Sequence, residues 1–323
     1  MQMNSSNLFF LGFMIIGVML CLCSNNWLFI WCGLELSLIS FLPLMQTSLI
    51  ISSESSMKYF LVQSVSSSIL ILGLMMMLTG KNYYDLLIML SVMIKMGVAP
   101  FHIWLLSIVD GLKMIPFILM FTLSKVSPIM ILTFFHSSIS LIIMLTLIMG
   151  SLLGINQNSI RKMIAYSSIF NMGLILISIK NNFVWIYYLV IYSILLMILV
   201  ILLFRVNACY INQMIINEEL ILSKMTLWTI LLSMGGMPPF LGFSIKLIVI
   251  EMTISNYMFV NLFMIILFSL LVMFFYLRMT FLSLMFFSMS SKLTLTSKNN
   301  FSLLFLMLNI LGLPVLLTLK MFN

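Results

Sequence analysis

Apolar runs about as long as a bilayer is thick follow one another along almost the whole chain, and nothing else narrows its folding options as much. Cut wherever polar or turn residues interrupt, the sequence gives eleven segments: 8–23, 27–50, 57–79, 84–108, 114–135, 138–155, 160–179, 183–204, 225–252, 258–287 and 301–320. Of 323 residues 63% are hydrophobic and 7% charged, whereas a water-soluble globule needs about a quarter of its residues charged. The solvent for this surface is lipid. In lipid every backbone donor and acceptor needs an internal partner, which leaves helices or a closed barrel, and the short alternating segments of a barrel are absent. The expected fold is an all-α polytopic membrane protein of about eleven transmembrane helices.

Charge placement supports a topology rather than a ligand. With these cuts, the loops on the side of the amino terminus hold Lys58, Lys113, Arg161, Lys162, Arg205, Lys224, Lys292 and Lys298, and the opposite side holds Lys81, Lys180 and Lys320. The positive-inside rule then puts the amino terminus in the matrix or cytoplasm and the carboxyl terminus across the membrane. The basic residues are scattered singly between apolar runs, so the net charge of +8 does not point to nucleic acid. Cys21, Cys23, Cys32 and Cys209 make no CxxC pair and no metal spacing with histidine, and are read as packing residues. Met1 to Asn7 carry no basic residue, so no removable targeting segment is expected. Thirty-three methionines beside three arginines resemble the output of an A+T-rich genome such as that of animal mitochondria.

Two predicted helices contain breaks: Lys95-Met-Gly-Val-Ala-Pro100-Phe-His-Ile-Trp104 in the fourth, and Gly235-Gly236-Met-Pro238-Pro239-Phe-Leu-Gly-Phe243 in the ninth. They lie five helices apart, the spacing expected of inverted five-helix repeats with one broken helix each. The repeats would cover 1–135 and 136–288, with 289–323 as a polar loop and final helix.

Four charged residues stand out within these runs: Glu35, Lys95, Lys125 and Lys246. A charge at the centre of a membrane helix costs about 2.5 to 3.5 kcal/mol on insertion scales, so such residues face protein or water and have a use. Their competing explanation is a buried ion pair or a lysine snorkelling to the interface. Position argues against snorkelling for Lys95 and Lys125, each about 15 Å from either helix end. Lysine and glutamate both release and take protons when burial and a neighbouring charge shift their affinity, whereas arginine does not. The breaks free backbone carbonyls for water or side chains, and water there would conduct protons. His102 is an additional candidate relay beside Pro100, with an ordinary hydrogen-bonded interior histidine as the equal alternative. His136 is expected at the interface; Tyr59, Tyr166, Ser167 and Ser168 either line a wet path or hold helices together. Glu54, Lys58, Asp85, Asp110, Lys113 and Glu251 look like solvated helix ends, and Glu218 and Glu219 sit in the polar loop 205–224.

The two break strings, together with Asn156-Gln-Asn-Ser-Ile-Arg-Lys-Met-Ile-Ala-Tyr-Ser-Ser-Ile169 and Ser55-Ser-Met-Lys-Tyr-Phe-Leu-Val-Gln63, resemble those of the antiporter-like subunits of respiratory complex I. The length and the Trp31 to Glu35 context select one animal mitochondrial subunit type within that family. The resemblance implies a proton-translocating core membrane subunit of NADH:ubiquinone oxidoreductase, multi-pass in the mitochondrial inner membrane. Its partners would be other membrane subunits of the complex and lipids, with protons and water transported. It also implies Glu35 and Lys95 as a coupled gating pair, Lys125 as central relay and Lys246 as the link to the exit half. No cofactor is expected in this chain; NADH, FMN, iron–sulfur clusters and ubiquinone would be used elsewhere in the assembly. Two departures stand out: Asn171 and Leu174 replace a usual His and Trp, and Ile245-Lys246-Leu247 stands where Pro-Lys-Trp is common. Asn171 cannot titrate, so either water carries the proton past it or that route is unused. A free-standing monovalent cation/proton antiporter and a non-pumping scaffold remain as alternatives.

Overall fold

A computed structural model describes residues 5–80, 84–135, 139–215, 221–284 and 300–321. The positions of Lys81, His136, Glu218, Glu219, Lys292 and Lys298, and most of the expected loop after 288, lie outside them. Every regular element among the described residues is a helix, and an isolated antiparallel bridge joins Ser159 to Tyr210. Packing divides the chain into two units, Met1–Thr146 and Leu147–Asn323.

The first unit contains α1 (Ser5–Cys23), α2 (Trp27–Met45), α3 (Ile50–Leu78), α4 (Tyr84–Met96), α5 (Ile103–Val109), α6 (Met114–Phe121), α7 (Leu123–Thr133) and the start of α8 (Ser140–Ile155). Helices α1 and α2 cross where both are glycine: a Cβ on Gly17 would meet the Gly33 carbonyl at 2.8 Å, and one on Gly33 would meet that of Gly17 at 2.7 Å. Small residues are what let backbones approach this closely without a hydrophobic force between helices. Helix α3 starts seven residues before the sequence expectation. Ser52, Ser53, Ser55 and Ser56 look like loop residues, but each hydroxyl donates to the carbonyl three positions back and is satisfied within the helix. Glu54 and Lys58 form an exposed ion pair on its second turn, at 2.5 Å.

The second unit continues through α8 and adds α9 (Ile160–Ser178), α10 (Asn182–Val206), a 3-10 turn (Ile211–Ile215), α11 (Ile221–Gly235), α12 (Leu241–Ser255), α13 (Phe259–Leu284) and α14 (Asn300–Met321). Nearly every side chain of α9 is buried although it is the least apolar of the long spans, because α9 is surrounded by protein and not lipid. The segment after α10 folds back: the Ile160 amide donates to the Cys209 carbonyl at 3.0 Å and that of Ile211 to Asn158 at 3.1 Å.

Among the described residues, seven segments are long and apolar enough to cross a membrane by themselves. The remaining four expected spans correspond to α4 with α5, α8, α11 with α12, and α14. The fourth and ninth expected helices are interrupted where the sequence placed their breaks. A further interruption, not foreseen, divides the expected fifth helix at Thr122, whose φ of −118° and ψ of −84° leave the helical region. Pro128, inside the continuous α7, has no N–H to offer the Ser124 carbonyl but stands six residues beyond the interruption. The hydroxyls of Thr122 and Ser124 take the carbonyls of Ile118 and Met120.

Candidate functional site

In the first unit the site grows from the carboxyl end of α4. Gly97 follows it at φ +66°, a left-handed ending that glycine adopts without Cβ strain. The Gly97 amide donates to Ile94 at 3.1 Å and that of Val98 to Met93 at 3.2 Å, the paired bonds of a Schellman ending. The chain then leaves helical geometry until Ile103, and Pro100 has no amide to offer. Three carbonyls in the last turn of α4 take side-chain donors. The Trp104 indole donates to Ile94 at 3.1 Å, the Gln63 amide to Lys95 at 3.4 Å, and the Lys125 ammonium to Met96 at 2.5 Å.

Lys125 comes from the first turn of α7, immediately after the Thr122 interruption, and its ammonium also lies 5.6 Å from the centre of the Trp104 ring. The end of a helix carries partial negative charge, so a cation completing its last carbonyl is favoured twice, by the hydrogen bond and by the dipole. Lys95 and Lys125 are 6% and 3% exposed, and what encloses them is protein rather than acyl chain. Lys95 lines a cavity of about 20 Å³ with Tyr59, Gln63, Trp104, Ser124 and Ser127 among others, which suffices for about one water.

Glu35 on α2 is half-buried and its Oε1 is shielded from solvent with no hydrogen-bond partner. It makes no ion pair with Lys95 within 4 Å, although its charge reaches Lys95 through space. Helix α2 packs mainly on α1 and α3, and α4 on α3 and α7, while Leu34, Ser37 and Leu38 of α2 line one cavity together with Lys95. His102 is buried at the start of α5 with its Nδ1 unpartnered, and no hydrogen bond joins it to Glu35, Lys95 or Lys125.

The second unit repeats the chemistry with different residues. Helix α11 ends at Gly235, and Gly236 follows at φ +83°. Its amide donates to Ser233 at 2.9 Å and the Met237 amide to Leu232 at 3.1 Å, the same Schellman pair. Pro238 and Pro239 keep the helix from resuming until Leu241. From the second turn of α12, the Lys246 ammonium reaches back to the Gly235 carbonyl at 2.6 Å and lies 5.8 Å from the Phe170 ring centre. Lys246 is 5% exposed, as buried as the other two although the sequence places it nearest a helix end. A Cβ on Gly236 would lie 2.7 Å from its Nζ, so the glycine both turns the chain and leaves room for the lysine.

Three participants escaped the sequence reading of charged residues: Gln63 and Trp104, which complete α4, and Phe170 beside Lys246. Gln63 and Trp104 belong to strings that stand out as motifs, but neutral donors carry no insertion penalty large enough to mark them. Asn171, at the position of the unusual departure, accepts a hydrogen bond from the Tyr188 hydroxyl at 2.8 Å.

The same chain has clear relatives. NADH-ubiquinone oxidoreductase chain 2 of Anopheles gambiae is 36% identical over 271 residues, covering 79% of each chain. The protein of that name from Locusta migratoria is 35% identical over 288 residues, covering 83% of this chain and 82% of the other. Among solved structures, a chain of respiratory complex I from Thermus thermophilus superposes with a TM-score of 0.77 at 18% identity, covering 88% of this chain and 71% of that one, which is a likeness of fold. Residues 24–274 match the transmembrane family described as NADH:quinone oxidoreductase/Mrp antiporter, and the chain belongs to that family.

Proposed function

We propose that this chain is a proton-translocating core membrane subunit of NADH:ubiquinone oxidoreductase, multi-pass in the mitochondrial inner membrane, with its amino terminus in the matrix and its carboxyl terminus in the intermembrane space. It works as two five-helix repeats, 1–135 and 136–288, beside other membrane subunits and lipid. It carries no redox group; electron transfer through NADH, FMN, iron–sulfur clusters and ubiquinone takes place elsewhere in the assembly. The observation that carries this reading is that each unit holds a buried lysine whose ammonium completes the last carbonyl of a broken half-helix, Lys125 on Met96 and Lys246 on Gly235.

A protonated lysine is held at that end by its charge, and a neutral amine keeps the donor but loses the attraction to the helix dipole. Proton occupancy and the geometry of the break are thereby coupled. Lys95, one residue before the end of α4 and within reach of the Glu35 charge, adjusts the same turn. Moving that carboxylate by a driven shift of α2 alters how firmly Lys95 holds its proton, and the adjoining cavity has space for water to receive it. His102 extends the path on the far side of Pro100. Each charge moved against 100 mV requires about 2.3 kcal/mol, which must arrive from neighbouring subunits.

The test is proton translocation by the assembled enzyme carrying Lys125→Ala. The expected result is a loss of translocation with NADH oxidation by an artificial acceptor retained; an unchanged ratio of protons to electrons removes Lys125 from the mechanism and favours a scaffold. A free-standing exchanger would instead show sodium or potassium transport by the isolated chain in proteoliposomes.

A further inference from the structure

The second unit contains a polar cluster that none of the charged residues explains. Ser167 and Asn171 are four residues apart on α9 and share one face; Tyr188 and Tyr192 do the same on α10. Tyr276 enters from α13. Its hydroxyl donates to Ser167 Oγ at 2.7 Å, and the Tyr188 hydroxyl donates to Asn171 Oδ1 at 2.8 Å. All five side chains are buried. Tyr192 is 4% exposed; its hydroxyl faces Asn171 but completes no hydrogen bond, and the Tyr188 and Tyr276 hydroxyls are its other polar neighbours.

Leaving a buried hydroxyl unmatched costs about 1 to 3 kcal/mol, and phenylalanine would avoid that cost in the same space. The cluster also touches the broken helix: Tyr276 Cβ lies 3.6 Å from where a Cβ on Gly235 would sit, and the Gly235 carbonyl holds the Lys246 ammonium. On the opposite side, Phe170, adjacent in sequence to Asn171, presents its ring to Lys246.

The geometry points to a hydroxyl relay in the second unit, in which Tyr192 binds an internal water and, with Tyr276 and Ser167, passes protons to and from the neighbourhood of Lys246. This rests on the proton-translocating function proposed above and names the route past Asn171, a side chain that cannot titrate. At each hydroxyl the oxygen accepts one proton while the proton it carried moves on, and Ser167, whose hydroxyl now donates to the Ile164 carbonyl at 2.7 Å, rotates from it to hand its proton to water, so no tyrosine ends ionised and no charge accumulates. Asn171 is a positioning residue: its carbonyl fixes the Tyr188 hydroxyl and orients the water at Tyr192.

The experiment uses the assembled enzyme with Tyr192→Phe, and Met197→Leu as a control on the exposed side of α10. Proton-coupled turnover is expected to fall about 10²-fold, as on removal of one acid–base group, and its solvent deuterium isotope effect to rise, with NADH oxidation by an artificial acceptor unchanged. Wild-type pumping and isotope effect in Tyr192→Phe, alongside an impaired Lys125→Ala, overturn the relay and leave the proposed function standing. Wild-type pumping in both variants overturns the two together. If Tyr192→Phe fails to assemble, density in the native enzyme decides: an ordered water within hydrogen-bond distance of Tyr192 Oη supports the relay, and its absence overturns it.

Discussion

Replacing Gly236 by alanine separates two costs that the break imposes at one position. At φ +83° any residue with a Cβ is strained by about 1 to 2 kcal/mol. The added methyl would also fall 2.7, 2.8 and 2.9 Å from Nζ, Cδ and Cε of Lys246, so the lysine must leave the Gly235 carbonyl. A hydrogen bond from a charged donor is worth about 1.5 to 3 kcal/mol, which brings the total to about 2.5 to 5 kcal/mol. Gly80→Ala isolates the first part, because Gly80 has φ +69° and nothing within 4 Å of its added Cβ. Both variants are followed in the assembled enzyme by proton translocation and by the temperature of half-inactivation. Gly80→Ala should lower the temperature slightly and leave translocation intact, whereas Gly236→Ala should lower it further and abolish translocation. Equal behaviour of the two variants would refute the claim that Gly236 exists to seat Lys246.

Gly242→Ala should prevent accumulation of the chain, measured by its abundance in the membrane, because the new Cβ would lie 1.7 Å from the Ser233 carbonyl oxygen where α12 returns past α11. Trp104→Phe keeps an aromatic face for Lys125 but removes the donor to Ile94, whose carbonyl still accepts from the Gly97 amide at 3.1 Å. Its cost should sit near the lower end of the range for a lost partner, about 1 kcal/mol, seen as a small drop in half-inactivation temperature with pumping preserved.

Much of the architecture is readable from residue order because lipid enforces it: apolar length sets the spans, and Pro100, Pro238 and Pro239 with their neighbouring glycines mark two interruptions without tertiary information. The Thr122 interruption is hidden, since Met114 to Phe135 reads as one apolar run and the hydroxyls that replace its ladder bonds look like ordinary helix-facing serine and threonine. The start of α3 is obscured for the same reason. For the site, the insertion penalty marks Lys95, Lys125 and Lys246 as side chains that need protein around them, and they are buried, but it does not say what they hold. The acceptors are backbone carbonyls of Met96 and Gly235, and a carbonyl has no sequence signature. Glu35 and Lys95 illustrate the converse: each is conspicuous in sequence, yet they form no ion pair, because the rotation of α2 and α4 about their axes is not written in residue spacing.

The two ammonium groups differ in the span that supplies them. Lys125 belongs to the span after the one it completes, so sliding α7 along α4 stretches its bond to Met96 directly. Lys246 belongs to the second half of the span whose first half it completes, so it travels with that span and is strained only when the span flexes at its own glycine. Shear between neighbouring rods would therefore strain the first bond and bending of a single rod the second, so a push transmitted along the membrane would load the two in different ways.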